Sequence, residues 1–190
     1  MGIRIIAGKL KKREIKGIPK DKELRPILSR IKKSLFDIIR PKIIGAKFLD
    51  LYAGTGSVGI EAVSRGADLV IFVEVDEKLV KILKKNLERF KIENQTEVYQ
   101  RDILLGLEWL KDFKGEKFFD IIFMGPPYKE KIVSRTLELI SDAGILKEKG
   151  IIIAQHHIKE KVETDKFNLF RTEKYGDSIL SFFENKNVAM

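Results

Sequence analysis

The sequence predicts an α/β fold in which a mainly parallel sheet carries helices on both faces. Three observations lead to this prediction. Apolar runs typical of buried strands alternate with stretches of helical spacing between residues 47 and 155. A glycine-rich loop follows the first of these strands, as in nucleotide-binding folds. The 190 residues, 44% of them hydrophobic, are enough to form one main core.

Each element can be justified in chain order. Two short β-type runs split at Ala7-Gly8 predict a basic hairpin, and apolar residues at helical spacing predict a helix from Ser29 to Ile39. Five apolar runs predict strands at 47–52, 68–75, 96–100, 118–124 and 150–155. The stretches that predict helices are 57–66, 77–90, 103–113 and 130–144. The tail predicts a closing antiparallel pair at 168–176 and 178–185.

Composition excludes several classes of protein. The chain has no cysteine, which excludes a disulfide framework and thiolate metal sites, and its two histidines do not suggest a metal centre. No apolar run approaches the ~20 residues that span a bilayer, and the N-terminus lacks the apolar segment of a signal peptide. We therefore expect a cytoplasmic protein without a membrane partner or a metal.

The positive charge is concentrated at the N-terminus. Residues 1–42 contain 14 of the 37 basic residues but only 4 of the 28 acidic ones, a net of +10, whereas the remainder has 23 basic and 24 acidic residues, a net of −1. Such segregation predicts a polyanion-binding element attached to a neutral body. We expect an extension at 1–42 that contributes nucleic-acid affinity but little stability, and a main domain at 43–190.

The segment "DLYAGTGSVGIEA" contains the pattern G-x-G-x-x-G at Gly54, Gly56 and Gly59. Glycines permit a tight turn and close approach of a ligand, and the helix that follows offers backbone N–H donors. Glu74 ends the second strand 20 positions after Gly54, where a carboxylate can bind ribose hydroxyls. A dinucleotide-dependent dehydrogenase remains an alternative at this point.

Two further acids favour S-adenosylmethionine over NAD. Asp50 lies near the end of the first strand, where a carboxylate suits a cationic amino-acid group better than a pyrophosphate. Asp102 follows the third strand and can accept a hydrogen bond from an adenine amine. Asp50, Glu74 and Asp102 thus match the methionine end, the ribose and the adenine of the donor, respectively. The short remainder after residue 128 also leaves little room for a separate substrate domain.

The segment "IIFMGPPYKE" places two prolines and a tyrosine directly after a strand. Loops built in this way often act on an amino group whose lone pair is delocalised into a ring. Two acceptors on its N–H groups direct the lone pair at the methyl group; one is usually an Asp or Asn side chain, and the other would be the carbonyl of Pro126. Tyr128 would stack on a flipped base.

The chain resembles the bacterial RsmD-type small-subunit rRNA guanine-N2 methyltransferases over nearly its whole length. The segments that carry the resemblance are "IRIIAGKLKKREI", "LRPILSRIKKSLFDII", "FLDLYAGTGSVGIEAVSRGA", "FVEVDE" and "FDIIFMGPPY". The resemblance implies a class I methyltransferase fold, S-adenosylmethionine as donor, and methylation of the exocyclic amine of a guanine in 16S rRNA. It also implies action on an assembling ribosomal particle. We expect the protein to be a monomer.

The resemblance assigns roles to individual residues of this chain. It places Asp50, Tyr52, Gly54 and Gly56 at the methionine end of the donor, Glu74 at the ribose, and Asp102 and Ile103 at the adenine. It places Gly125, Pro126, Pro127 and Tyr128 in the catalytic loop. The expected RNA contacts are Lys9, Lys11, Lys12 and Arg13 in the hairpin, with Arg25 and Arg30 near the target.

Gly125 departs from the pattern of the family, which has Asp or Asn at this position. If it is a substitution in a functional enzyme, Gly125→Asp should raise methyl transfer about 10²–10³-fold by restoring an acceptor. The alternative is an impaired protein that binds the donor and RNA without catalysis. An amino-methyltransferase acting on DNA adenine or a protein glutamine is a third possibility.

Overall fold

The structure is a computed structural model that describes residues 3–17, 27–128 and 132–186. It divides into two compact units, Met1–Arg101 and Asp102–Met190. In the part of the chain that is described, no helix is long and apolar enough to cross a membrane. The proposed division at residues 42 and 43 remains a prediction; residues 3–17 and 27–43 belong to the first unit.

The first unit begins with the predicted hairpin, whose strands pair antiparallel with Ile3 opposite Ile15. Three parallel strands follow, in the order β5-β4-β3, and each strand is joined to the next along the chain through a helical segment. Its elements are β1 (Ile3–Arg4), β2 (Glu14–Ile15), α1 (Ser29–Ile38), α2 (Arg40–Ile43), β3 (Lys47–Leu51), α3 (Ser57–Ser64), β4 (Leu69–Glu74), α4 (Glu77–Phe90), a 3₁₀ turn (Glu93–Gln95) and β5 (Thr96–Gln100).

The N-terminal segment is part of the core of this unit, so the expectation that it adds little stability is wrong. Many of its apolar side chains are almost fully buried, and these include Ile5, Leu10, Ile15, Ile31, Leu35 and Phe36. The backbone N–H groups of Ile6 and Ala7 donate to the Glu61 carboxylate at 2.8 and 3.0 Å. The concentration of charge describes only the exposed residues of the segment. The buried apolar residues lie between these charged residues along the sequence.

The second unit has four strands in the order β6-β7-β9-β8. β6 and β7 are parallel, whereas β9 pairs antiparallel with both β7 and β8, as the tail pattern predicts. Its elements are a 3₁₀ turn (Ile103–Leu105), α5 (Glu108–Lys114), β6 (Phe119–Met124), α6 (Ile132–Ala143), β7 (Leu146–His157), β8 (Phe167–Tyr175) and β9 (Ser178–Asn185).

Two of the differences from the sequence prediction have a clear physical reason. The helix predicted at 103–113 is a 3₁₀ turn and a separate α5, because Gly106 between them has φ 118°, which no helix accommodates. β7 begins four residues earlier than predicted. After Leu146 come three charged residues, Lys147, Glu148 and Lys149, and Lys147 forms an ion pair with Asp120 at 2.7 Å.

Candidate active site

The glycine loop runs from the end of β3 to the start of α3 through left-handed backbone. Tyr52, Gly54 and Gly56 have φ values of 60°, 57° and 78°. A side chain at Gly56 would overlap Leu83, whereas a Cβ at Gly54 would meet no heavy atom within 4 Å. Gly56 is therefore favoured both by its left-handed backbone and by the close packing of Leu83. Gly54 leaves open space beside the backbone, which a ligand can approach.

Asp50 is buried beneath this loop and forms a hydrogen bond to the helix that follows it. Its side chain is 1% exposed, and Oδ2 accepts a hydrogen bond from the Gly59 N–H in the first turn of α3 at 2.8 Å. Burial, with a smaller contribution from the nearby Glu74 charge, raises the pKa of Asp50 to about 8 against the opposing effect of the Gly59 bond. Asp50 thus holds the helix start in place from beneath the loop.

This carboxyl group predicts a pH dependence of stability. The folded protein keeps the Asp50 proton up to about pH 8, whereas the unfolded chain loses it near pH 4, so the free energy of unfolding falls as pH rises through this window. Asp50→Asn keeps an acceptor for Gly59 but carries no titrating group. Denaturant unfolding at pH 5 and pH 8 should show the variant gaining stability relative to the parent as pH rises, and parallel profiles would contradict the assignment.

Glu74 joins the end of β4 to the glycine loop. Its Oε2 accepts from the Gly54 N–H at 2.7 Å, and Oε1 accepts from the Asp76 N–H at 2.9 Å. The residue is 8% exposed. Each carboxylate oxygen has a second lone pair, so Glu74 can fix the loop and still accept hydrogen bonds from ribose hydroxyls.

Asp102 and Ile103 open the second unit. Asp102 is exposed and caps the short 3₁₀ turn, because its Oδ1 accepts from the Leu104 N–H at 2.9 Å. Ile103 is 3% exposed. One carboxylate oxygen of Asp102 is therefore available for an adenine amine, next to an apolar side chain.

The loop Gly125–Tyr128 follows β6 directly. Pro126 is buried and Pro127 is exposed. The Tyr128 hydroxyl shares a 2.8 Å hydrogen bond with Ser178 Oγ, and its ring meets the His157 ring edge-on at 5.4 Å between centroids. Tyr128 is thus oriented by two contacts from β7 and β9.

The antiparallel register of β7 and β9 brings these supporting residues together, since His157 lies opposite Ser178. The preceding residue, His156, is an internal structural group. Its Nε2 pairs with Ser181 Oγ at 2.9 Å, and burial lowers its pKa below the usual value. No local sequence signal identifies Ser178 or His157, because their roles depend on a pairing between distant segments.

The four basic residues predicted to contact RNA in the hairpin differ in their contacts. Lys9 Nζ donates to Gln95, and the Arg13 guanidinium donates to the Arg89 carbonyl at 2.9 Å while it covers the Phe90 ring. Lys11 and Lys12 are exposed at the turn. Arg30 is exposed on α1, and Arg25 lies outside the described residues. Within the described ranges, no three His, Asp or Glu residues form a metal-binding group.

Known relatives match this chain along its length. The family described as "Conserved hypothetical protein 95" matches residues 3–184. Ribosomal RNA small subunit methyltransferase D of Haemophilus influenzae is 30% identical, with 96% of this chain and 94% of the relative covered. The protein of the same name from Escherichia coli K12 is 31% identical, with 85% and 78% covered.

Solved structures confirm the predicted fold class. The Escherichia coli protein yhhF superimposes with a TM-score of 0.82 at 27% identity, covering 97% of this chain and 98% of that one. An RNA methyltransferase from Salinibacter ruber, solved with S-adenosyl-L-homocysteine, gives a TM-score of 0.66 at 12% identity over 86% and 95% of the two chains. The latter likeness concerns the fold alone. The fold is that of the class I methyltransferases.

Proposed function

The chain belongs to the family described as conserved hypothetical protein 95, which includes the RsmD-type enzymes, and we propose that it methylates the exocyclic N2 amine of a guanine in 16S rRNA. The observation that carries this function is the match over residues 3–184, which includes the basic hairpin, the glycine loop and the Pro-Pro-Tyr loop. We further propose that the enzyme is a cytoplasmic monomer acting on an assembling small subunit.

The donor we propose is S-adenosylmethionine, which supplies an electrophilic methyl group when bound. The residues around the glycine loop fit it. Open space lies beside Gly54, and the Glu74 oxygens retain lone pairs after binding the loop. We assign the methionine end to the loop residues, the ribose to Glu74, and the adenine to Asp102 and Ile103. The role of Asp50 is to hold the loop through Gly59.

The chemistry required of the Gly125–Tyr128 loop is to redirect a delocalised lone pair. Hydrogen-bond acceptors on both N–H groups of the guanine amine favour tetrahedral geometry at nitrogen, and proline fixes the backbone that carries them. We assign one acceptor to the Pro126 carbonyl. Tyr128, oriented by Ser178 and His157, offers a ring on which the target base can stack.

Binding measurements separate this function from the dinucleotide alternative. Isothermal titration should show that S-adenosylmethionine binds and that NAD does not. Transfer of tritium-labelled methyl groups should then label 16S rRNA. Binding of NAD without binding of S-adenosylmethionine would contradict the proposal.

The hairpin turn predicts a specific salt dependence. Lys11→Ala with Lys12→Ala should weaken RNA binding and reduce the log–log slope against salt by ~0.7–0.9 for each phosphate that the protein no longer neutralises. Donor affinity should not change. Lys84→Ala with Lys85→Ala, which removes two exposed lysines from α4, is the matched control. If both double variants behave alike, the hairpin turn does not bind RNA.

A further inference from the structure

Gln155 lies beside the catalytic loop but has no role in the function derived so far. It is on β7, which runs parallel to β6 with Phe123 opposite Ile153 and Met124 opposite Ala154. The residue after Met124 is Gly125, just past the end of β6, and the residue after Ala154 is Gln155 on β7. The side-chain amide of Gln155 therefore lies at the level where β6 ends and the Pro-Pro-Tyr loop begins.

The Gln155 side chain is mostly buried, and its amide has no protein partner among the described residues. The residue is 9% exposed, and its side chain forms no hydrogen bond with any residue of the described ranges. A buried amide without a partner is costly, and such groups are rare in folded proteins. No fully buried side-chain nitrogen or oxygen in the described ranges lacks a partner. The Gln155 amide atoms must therefore retain access to solvent, and the small exposed part of the residue includes its polar end.

This amide lies beside the place that a side chain at position 125 would take. A Cβ built on Gly125 would lie 4.0 Å from Gln155 Oε1, which is within reach of the carboxylate that an Asp would carry. The φ of Gly125 lies outside the left-handed region, so its backbone does not require glycine. The same Cβ would lie 3.3 Å from the Phe123 ring, so a side chain there would need a small shift of that ring.

We propose that Gln155 supplies the side-chain acceptor that Gly125 lacks, by binding an N–H of the guanine amine through its amide oxygen. This inference rests on the proposed function and names a further catalytic residue for it. An amide oxygen accepts a hydrogen bond as an Asp oxygen does. Gln155 and the Pro126 carbonyl then provide the two acceptors that aim the nitrogen lone pair.

Gln155 does not act as a base in this step. The amine nitrogen forms its bond to the methyl carbon while the carbon–sulfur bond of the donor breaks and its electron pair goes to sulfur. The positive charge moves to the nitrogen, which then loses one proton to water. A neutral amide has negligible basicity, so Gln155 contributes orientation and stabilisation of the developing charge on the amine.

The test compares methyl transfer to 16S rRNA by the parent and four variants at saturating donor. Gln155→Leu keeps the approximate volume and removes the acceptor, and it should be about 10²–10³-fold slower. Gln155→Glu retains an acceptor and should stay within ~10-fold of the parent. Gly125→Asp should raise the rate by a smaller factor in the parent than in the Gln155→Leu background, because the parent already has an acceptor at this place. Gly125→Asp added to Gln155→Leu should recover at least ~10-fold of the missing rate.

The outcomes distinguish this inference from the proposed function. A Gln155→Leu protein as fast as the parent would overturn the inference and leave guanine methylation intact. Equal slowing in the Leu and Glu variants, with weaker donor binding or a lower melting temperature and no recovery by Gly125→Asp, would show a structural role and also overturn it. A parent protein that methylates no guanine would overturn the proposed function, and the inference with it.

Discussion

Replacing Glu61 with Ala is expected to lower the free energy of unfolding by about 3–5 kcal/mol. The side chain is 0% exposed, accepts from the N–H groups of Ile6 and Ala7, and pairs with Arg65 at 2.8 Å. It also lies 3.5 Å from Lys32, which is 1% exposed. Removal of Glu61 would leave a buried ammonium group without its carboxylate. Denaturant unfolding of both proteins measures the difference.

The burial of Lys32 explains why Glu61→Ala should lower the free energy of unfolding strongly. Burial lowers the pKa of its ammonium group, and the Glu61 carboxylate opposes that shift. Lys32→Met combined with Glu61→Leu removes both charges and should cost less than Glu61→Ala alone. A Glu61→Ala protein as stable as the parent would show that the hairpin and α1 do not depend on this carboxylate.

Glu74→Ala is expected to weaken S-adenosylmethionine binding by about 10- to 150-fold, or about 1.5–3 kcal/mol. The variant loses the proposed ribose acceptor, and it also removes the partner of the Gly54 and Asp76 N–H groups. The loop conformation at Gly54 would then lose its main restraint. Isothermal titration with S-adenosylmethionine measures the change.

Two controls define the role of Glu74. Glu74→Gln keeps one acceptor oxygen and should give an intermediate affinity. Glu77→Ala removes an exposed carboxylate from the first turn of α4, where it pairs with Lys81, and donor affinity should not change. Unchanged affinity in both Glu74→Ala and Asp50→Ala would remove the donor site from this loop.

The sequence predicts elements well where a single burial pattern extends over their full length. α4 spans the predicted 77–90 because one apolar face persists through it and Asp76 caps its start through the Leu79 N–H at 3.0 Å. The predicted β7 is too short because Lys147 and its polar neighbours precede the apolar run. Burial patterns identify only the part of a strand that faces the core.

The candidate site is predictable where it is local in sequence. Asp50, Glu74 and the glycine loop follow from residue type at strand ends, and their contacts within the first unit agree with that placement. Gln155 and Ser178 could not be found in this way. In the sequence, Gln155 is a polar residue at the end of an apolar run. Only its position beside Gly125 in the structure indicates a role in the site.

Guanine-N2 methylation is tested most directly by the identity of the modified nucleoside. Small-subunit rRNA particles lacking this modification would be incubated with the protein and labelled S-adenosylmethionine, and the digested RNA analysed by mass spectrometry. The account predicts label in N2-methylguanosine from 16S rRNA. Label in a methylated adenine or in a protein side chain, or no transfer to RNA while the donor binds, would contradict it.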